Sequence, residues 1–179
     1  MNYDITIILP CYNCGAYINK NIQKLETVTL KYFKKIEYIA IDDGSTDNTL
    51  SELEKIKKKI KDFKIIKIKN NSGKSNGVKK AIKISKGFKI VLYDSDLPYF
   101  KYLKKFFVNL KIFKLVIVNR RHKNSNMIIE NKRIYNFIRI FIGNFISLIN
   151  FHIFKIKTKD TQAGLKGFLN FPEFKKKKF

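Results

Sequence analysis

Residues Ile5 to Leu9 form a continuous apolar run that stops at Pro10, and runs of the same kind recur at Ile36 to Ile41, Ile65 to Ile68, Lys89 to Tyr93 and Leu115 to Val118. Short apolar runs rich in β-branched residues and bounded by turn residues predict strands buried on both faces. Between them the spacing becomes helical. Ile18, Ile22, Leu25 and Leu30 make one stripe; Leu50, Leu53, Ile56 and Ile60 make a second, for which Thr49 and Glu52 offer a capping box. Val78 with Ile82, and Leu103 with Phe106 and Leu110, predict two more helices. Strands and helices in alternation predict an α/β domain whose mostly parallel central sheet carries helices on both faces. Such sheets bind ligands beyond the carboxyl ends of their strands. Those ends carry "PCYN", "DDGS", "NNSG", "DSD" and "NRR", so polar and acidic residues gather along one edge.

The length of 179 residues fits one domain with a core of its own. After Asn131 the pattern changes: Arg133 to Phe154 is rich in Phe and Ile but interrupted by Arg139, Asn144, Asn150 and His152. That stretch is too polar for a membrane span and reads either as a core helix or as a helix lying in a membrane interface. Nothing after Phe168 reads as a closing strand or helix. The domain is therefore set at 1–171, open to being incomplete at its carboxyl end, with 172–179 as a basic tail.

The net charge of +24 comes from 34 lysines and four arginines against 14 acids. Such an excess suits an anionic membrane surface or nucleic acid, although lysines spread along the chain are also what an AT-rich coding sequence produces. A non-catalytic basic nucleic-acid-binding domain is thus an alternative of a different class, with no nucleic-acid-binding motif to support it. No secretory signal opens the chain, which makes the cytoplasm the expected compartment and reduced cysteines the expected state.

Four stretches could carry chemistry. Cys11 and Cys14 have the spacing of a thiol redox pair before a helix, but a zinc site lacks further ligands at suitable spacing, and the two thiols read as incidental to the turn. "SGKS" at Ser72 to Ser75 lacks the earlier glycine of a P-loop, because position 68 is Ile. Gly73, Lys74 and Gly77 could still approach a phosphate at a strand-to-helix turn, and an ordinary glycine turn explains them equally. Asp94 and Asp96 lie two apart at the end of the fourth strand, so both carboxylates can face one ligand. Their repulsion is relieved by a hard divalent cation, Mg²⁺ or Mn²⁺, which completes its shell with water and substrate phosphates. In "IDDGSTDNT", a turn and a helix cap account for Gly44, Ser45 and Asp47, but not for Asp42 and Asp43 side by side at a strand end.

Taken in order, "LPCYN", "IDDGSTDNT", "NNSGKSNGVKKAI", "DSDL" and "DTQAGLKGF" resemble the family 2 inverting glycosyltransferases, most of all those that act on dolichyl or polyprenyl phosphate. The likeness covers about residues 4 to 171. It implies a GT-A fold, Rossmann-like, that holds a UDP- or GDP-sugar with a divalent metal and transfers the sugar to a polyprenyl-phosphate lipid carrier. By position, Pro10, Tyr12, Ile41 and Asp43 would contact base and ribose. Asp94, Ser95 and Asp96 would hold ribose, metal and diphosphate, with Lys74 close by. Asp160 would act as base or orient the acceptor, and Arg120, with Arg139 as a second candidate, would meet the acceptor phosphate. An inverting displacement implies no enzyme nucleophile. The same resemblance allows a glycan hydroxyl as acceptor, which would need a true general base. It places the protein peripherally on the cytoplasmic face of a membrane. Two positions depart from the family pattern: Cys14 stands where an acid often follows "YN", and Pro98 stands where a polar residue often follows the second Asp.

Overall fold

The computed structural model describes residues 2–71, 73–120, 160 and 163–172. It forms two compact units, 1–116 with 164–179, and 117–163. The elements run β1 (Tyr3–Cys11), α1 (Gly15–Thr29), β2 (Ile36–Asp43), α2 (Thr49–Lys59), β3 (Phe63–Ile68), α3 (Lys74–Ile84), β4 (Gly87–Tyr93), α4 (Leu103–Ile112), β5 (Leu115–Ile117) and β6 (Leu165–Leu169). The sheet order is β3-β2-β1-β4-β6-β5. β1 pairs in parallel with β2 and β4, β2 pairs in parallel with β3, and β6 lies antiparallel to β4. The expected α/β architecture with a mostly parallel sheet is observed.

Burial explains why these runs are strands. All eight residues of β2 are buried, and Ile8, Ile39, Ile41 and Ile90 meet Ala81 of α3 in one cluster, with Val78 and Ile82 packed against it. Each such Ile contributes about 1.5–3 kcal/mol by leaving water. α4 buries Leu103, Phe106, Phe107 and Leu110, and the Phe107 ring meets Phe33 edge-on at 5.4 Å. At the amino ends of the strands, buried Glu37 accepts hydrogen bonds from the Thr6 hydroxyl (2.6 Å), the Lys64 ammonium (2.6 Å) and the Lys86 N–H (2.8 Å).

Three expectations are corrected. β6 was not foreseen, yet it pairs along its whole length with β4, from Lys89 opposite Leu169 to Tyr93 opposite Leu165. Leu30 does not complete the α1 stripe, since the helix ends at Thr29 and Leu30 is exposed. The capping box does not form: Asn48 holds the N-cap position of α2 without a side-chain cap bond, and the Thr49 N–H is taken by Asp47. The Thr49 hydroxyl is instead drawn to the Cys14 N–H at 2.7 Å, and Glu52 to Asn19 and Lys55. A buried donor at the start of α1 has the stronger claim on that hydroxyl, because leaving it without an acceptor costs about 1–3 kcal/mol. The apolar stretch 133–154, Arg139 within it, both histidines and the run 173–179 lie outside the described residues. Among the described residues no helix is long and apolar enough to cross a membrane.

Candidate functional site

Parallel pairing brings the carboxyl ends of β1, β2, β3 and β4 into one row. The register sets Pro10 beside Ile41 and Cys11 beside Asp42, and Asp43 beside Ile68. The loops beyond are stitched together by side chains. Asn13, in the left-handed region at φ 47°, donates its N–H to the Ser45 hydroxyl at 3.1 Å and accepts the Thr46 N–H at 2.9 Å. Asp47 accepts from the Gly15 N–H (3.0 Å) with one oxygen and from the Thr49 N–H (2.9 Å) with the other, so one carboxylate serves the start of two helices. These donors hold its pKa below the usual value, the Thr49 side chain most of all. Gly44 has φ 72°, and a Cβ there would stand 2.7 Å from the Asn71 backbone nitrogen, so glycine alone lets the β2 and β3 loops meet.

The turn after β4 carries the two aspartates. The Asp94 carboxylate forms an ion pair with the ammonium of Lys74, the first residue of α3. Asp96 is exposed at the rim. Partial burial and the neighbouring Asp94 charge push its carboxyl above the ordinary value, with Lys74 opposing. Leu97 and Tyr99 follow with left-handed backbones at φ 51° and 65°, conformations that cost non-glycine residues free energy and that gather at functional sites. The Tyr93 hydroxyl closes the turn on the Pro98 carbonyl at 2.9 Å.

Two supports of this turn escaped the sequence reading. Asn21 of α1 donates its amide to the Ser95 carbonyl at 2.9 Å. Its place in the sequence was concealed by the stronger apolar stripe of Ile18, Ile22 and Leu25. The second support is Gly164, whose carbonyl accepts the Asp94 N–H at 3.0 Å. A Cβ on Gly164 would lie 2.4 Å from an Asp94 carboxylate oxygen, so the chain at 164 fits there without a side chain.

Of the expected donor contacts, Tyr12 is exposed at 49%, Asp43 is buried at 6% and Ser95 at 8%. Ile41 places its side chain in the core, which leaves its backbone at the sheet edge. Lys74, Asp94, Ser95 and Asp96 are brought together. Two carboxylates with one ammonium beside them suit a hard divalent cation that takes its remaining ligands from water and phosphate. Among the described residues no group of three or more His, Cys, Asp or Glu forms a self-sufficient metal cage.

In the second unit, Asp160 is buried at 1% and Arg120 grips it in a fork. Arg120 Nε and Nη2 each donate at 2.8 Å to separate carboxylate oxygens, and the Arg120 N–H adds a third bond at 2.9 Å. This bidentate geometry fixes the guanidinium plane. Both groups were expected at an acceptor phosphate, and the structure joins them to each other.

The sequence profile described as Glycosyl transferase family 2 matches residues 6–169. An Escherichia coli UDP-Glc:alpha-D-GlcNAc-diphosphoundecaprenol beta-1,3-glucosyltransferase is 40% identical over 94 residues, 51% of this chain and 35% of its own. Poly-beta-1,6-N-acetyl-D-glucosamine synthase of Staphylococcus aureus is 37% identical over 92 residues, 51% of this chain and 21% of its own. The chain thus spans about a third or less of these relatives. In three dimensions it is similar to glucosyl-3-phosphoglycerate synthase of Mycobacterium tuberculosis, solved with Mn²⁺, UDP and glucosyl-3-phosphoglycerate, at TM-score 0.62 and 17% identity over 94% of this chain and 57% of that one. It is also similar to a mannosyltransferase of Pyrobaculum calidifontis, solved with GDP-Man and Mn²⁺, at TM-score 0.57 and 18% identity over 94% of this chain and 45% of that one. These neighbours bear out the GT-A fold.

Proposed function

The chain belongs to glycosyl transferase family 2, and we propose that it moves a sugar, with inversion, from a UDP- or GDP-sugar to a polyprenyl phosphate at the cytoplasmic face of a membrane. The observation that carries this reading is the cluster at the end of β4: Asp94 paired with Lys74, and Asp96 two residues further along the same turn. Mg²⁺ or Mn²⁺ would be held by Asp94 and Asp96, and when bound it supplies charge neutralisation for the departing nucleoside diphosphate. The residues of the chain do the rest. Lys74 exchanges Asp94 for a diphosphate oxygen, Asn21 and Gly164 hold the aspartate turn in place, and Tyr12 with Asp43 faces the nucleoside.

Two considerations favour phosphate over a hydroxyl as acceptor. A phosphate is ionised near neutral pH and attacks without a general base, whereas a hydroxyl needs one within hydrogen-bond reach. Asp160, the residue expected at the acceptor, has both oxygens engaged by Arg120, an arrangement that suits a positioning residue and presents a guanidinium to a phosphate. The Escherichia coli relative's lipid-linked substrate supports an acceptor held at a membrane, although the beta-1,3 bond in that relative's name is made to a sugar hydroxyl. The net charge of +24 adds attraction to an anionic leaflet, about 1 kcal/mol for each Lys near the surface.

The test is incubation of the protein with labelled UDP- and GDP-sugars, Mn²⁺ and polyprenyl phosphate in liposomes. The expected product is a lipid-extractable sugar phosphate whose formation chelation stops. Transfer to an oligosaccharide hydroxyl with none to lipid would overturn the acceptor assignment; no metal-dependent nucleotide binding would overturn the donor assignment as well.

A further inference from the structure

Lysines run the length of the chain, but acids do not. Residues 1–62 hold nine acids and ten lysines, whereas residues 63–116 hold fourteen lysines and two acids, Asp94 and Asp96 of the donor site. One surface of that second stretch combines the excess charge with exposed apolar side chains. α4 buries Leu103, Phe106, Phe107 and Leu110. On the opposite side, beginning in the turn Phe100–Tyr102, Lys101, Lys104, Lys105, Val108 and Ile112 are exposed at helical spacing. The chain then stays exposed through five consecutive residues, Lys111 to Leu115, with Ile112 at 72%, Phe113 at 54% and Leu115 at 58%. No acid occurs from Leu97 to Leu115. We propose that this face of α4, with residues 111–115 at its end, docks on an anionic lipid surface. The inference names the surface behind the membrane location proposed above and rests on that reading.

Both components of the surface suit such a partner. Apolar side chains this exposed gain by entering the acyl boundary, and the lysines around them meet the phosphate headgroups. The Lys101 ammonium lies 4.9 Å from the centre of the exposed Tyr102 ring, and tyrosine is a residue that settles at headgroup depth. A soluble protein would have to supply a matching row of acids, whereas an anionic leaflet supplies negative charge continuously. α3 makes the contrast. It carries exposed Lys79, Lys80 and Lys83, but Ile84 at its end is its one large exposed apolar side chain. It also lies across the sheet from α4: Ile90 packs in the α3 cluster, whereas its neighbour Lys89 turns to the other face and donates to the Leu110 and Lys111 carbonyls. The placement suits a lipid acceptor. The docking face starts just beyond Asp96, and the Tyr93 hydroxyl pins the connecting Pro98 carbonyl. A leaflet lying along α4 therefore passes beside the aspartate turn and presents its lipid phosphates at the rim of the donor site.

The experiment is sedimentation of the full chain with vesicles of phosphatidylcholine, alone or mixed with phosphatidylglycerol. Binding is expected to the anionic vesicles and should fall as salt is raised. Lys104→Gln with Lys105→Gln should weaken it about tenfold or more, and Ile112→Ser with Phe113→Ser and Leu115→Ser by about the same factor. Lys79→Gln with Lys80→Gln and Lys83→Gln removes more charge, from the far side of the sheet, and should leave binding unchanged. The chain holds no tryptophan, so Ile112→Trp reports insertion: on anionic vesicles its emission should shift to the blue and be quenched by brominated acyl chains. No affinity of the unaltered chain for anionic vesicles overturns the proposal, as does an equal loss in the α3 variant. A dimer in light scattering that the three serine substitutions dissolve also overturns it, in favour of a second copy on this face. Calorimetry with UDP and Mn²⁺ keeps the two readings apart. Unchanged UDP affinity in the α4 variants supports a docking face separate from the donor site; vesicle binding without any UDP binding overturns the donor assignment and leaves the surface standing.

Discussion

At the amino ends of the strands, buried Glu37 gathers three donors at 2.6, 2.6 and 2.8 Å. At the carboxyl ends, Asp94 and Asp96 stand two residues apart beside the single ammonium of Lys74, and Asp96 is destabilised as an anion. The same sheet supports both. Glu37 is charge solved by the chain itself, so its role is architectural. The aspartate pair is charge left for something else to solve, and a cation with a diphosphate is the ligand chemistry proposed for it. Acidity alone therefore does not mark a site; the donors around each acid do.

Substitutions separate the two ends. Asp94→Ala is expected to weaken Mn²⁺-dependent UDP binding by about 100-fold or more, since even indirect supports of metal ligands are worth tenfold to 100-fold, with little change in melting temperature. Undiminished calorimetric affinity would break the contrast. Glu37→Ala should do the reverse: about 2–3 kcal/mol lost in urea unfolding, because the Thr6 and Lys64 donors lose their acceptor, with UDP affinity unchanged in the folded fraction. Gly164→Ala forces its new methyl against the Asp94 carboxylate. It should cost about 2 kcal/mol and, unlike Glu37→Ala, weaken UDP binding too, as seen by thermal shift with and without nucleotide. Asn21→Ala removes the bond to the Ser95 carbonyl. It should lower Mn²⁺-dependent affinity by about tenfold, the small end of the range for indirect supports, with nucleotide affinity in the absence of metal unchanged.

The sequence revealed most of the fold where one signal dominated. β1, β2 and β4 are largely buried runs, and a parallel sheet makes such runs long and unbroken, whereas β3, at the end of the sheet order, is only half-buried. β6 was missed because "LKGFL" contains Lys166 and Gly167 and sits inside a motif that drew attention for another reason. Its strand identity comes from pairing: Gly167 opposes Val91, and the missing side chain makes room for Phe106 and Leu110 of α4. The aspartates and Lys74 were legible as a spacing and a turn. Their ion pair was not, because it joins residues twenty apart through the packing of α3 on the sheet. The fork between Arg120 and Asp160 was hidden for the same reason, across forty residues. The cysteines were read as incidental on compartment and spacing, and both are free and buried in the structure.

The position of β6 also sets an order in time. It is the last described strand to be synthesised, and it lies between β4 and β5. Translation at about 5–20 residues per second keeps the apolar edge of β4 waiting for several seconds while residues 94 to 164 emerge. An exposed strand edge of that kind invites wrong partners. Because Gly164 holds the Asp94 N–H, the aspartate turn lacks that support in a half-made chain until the last strand docks.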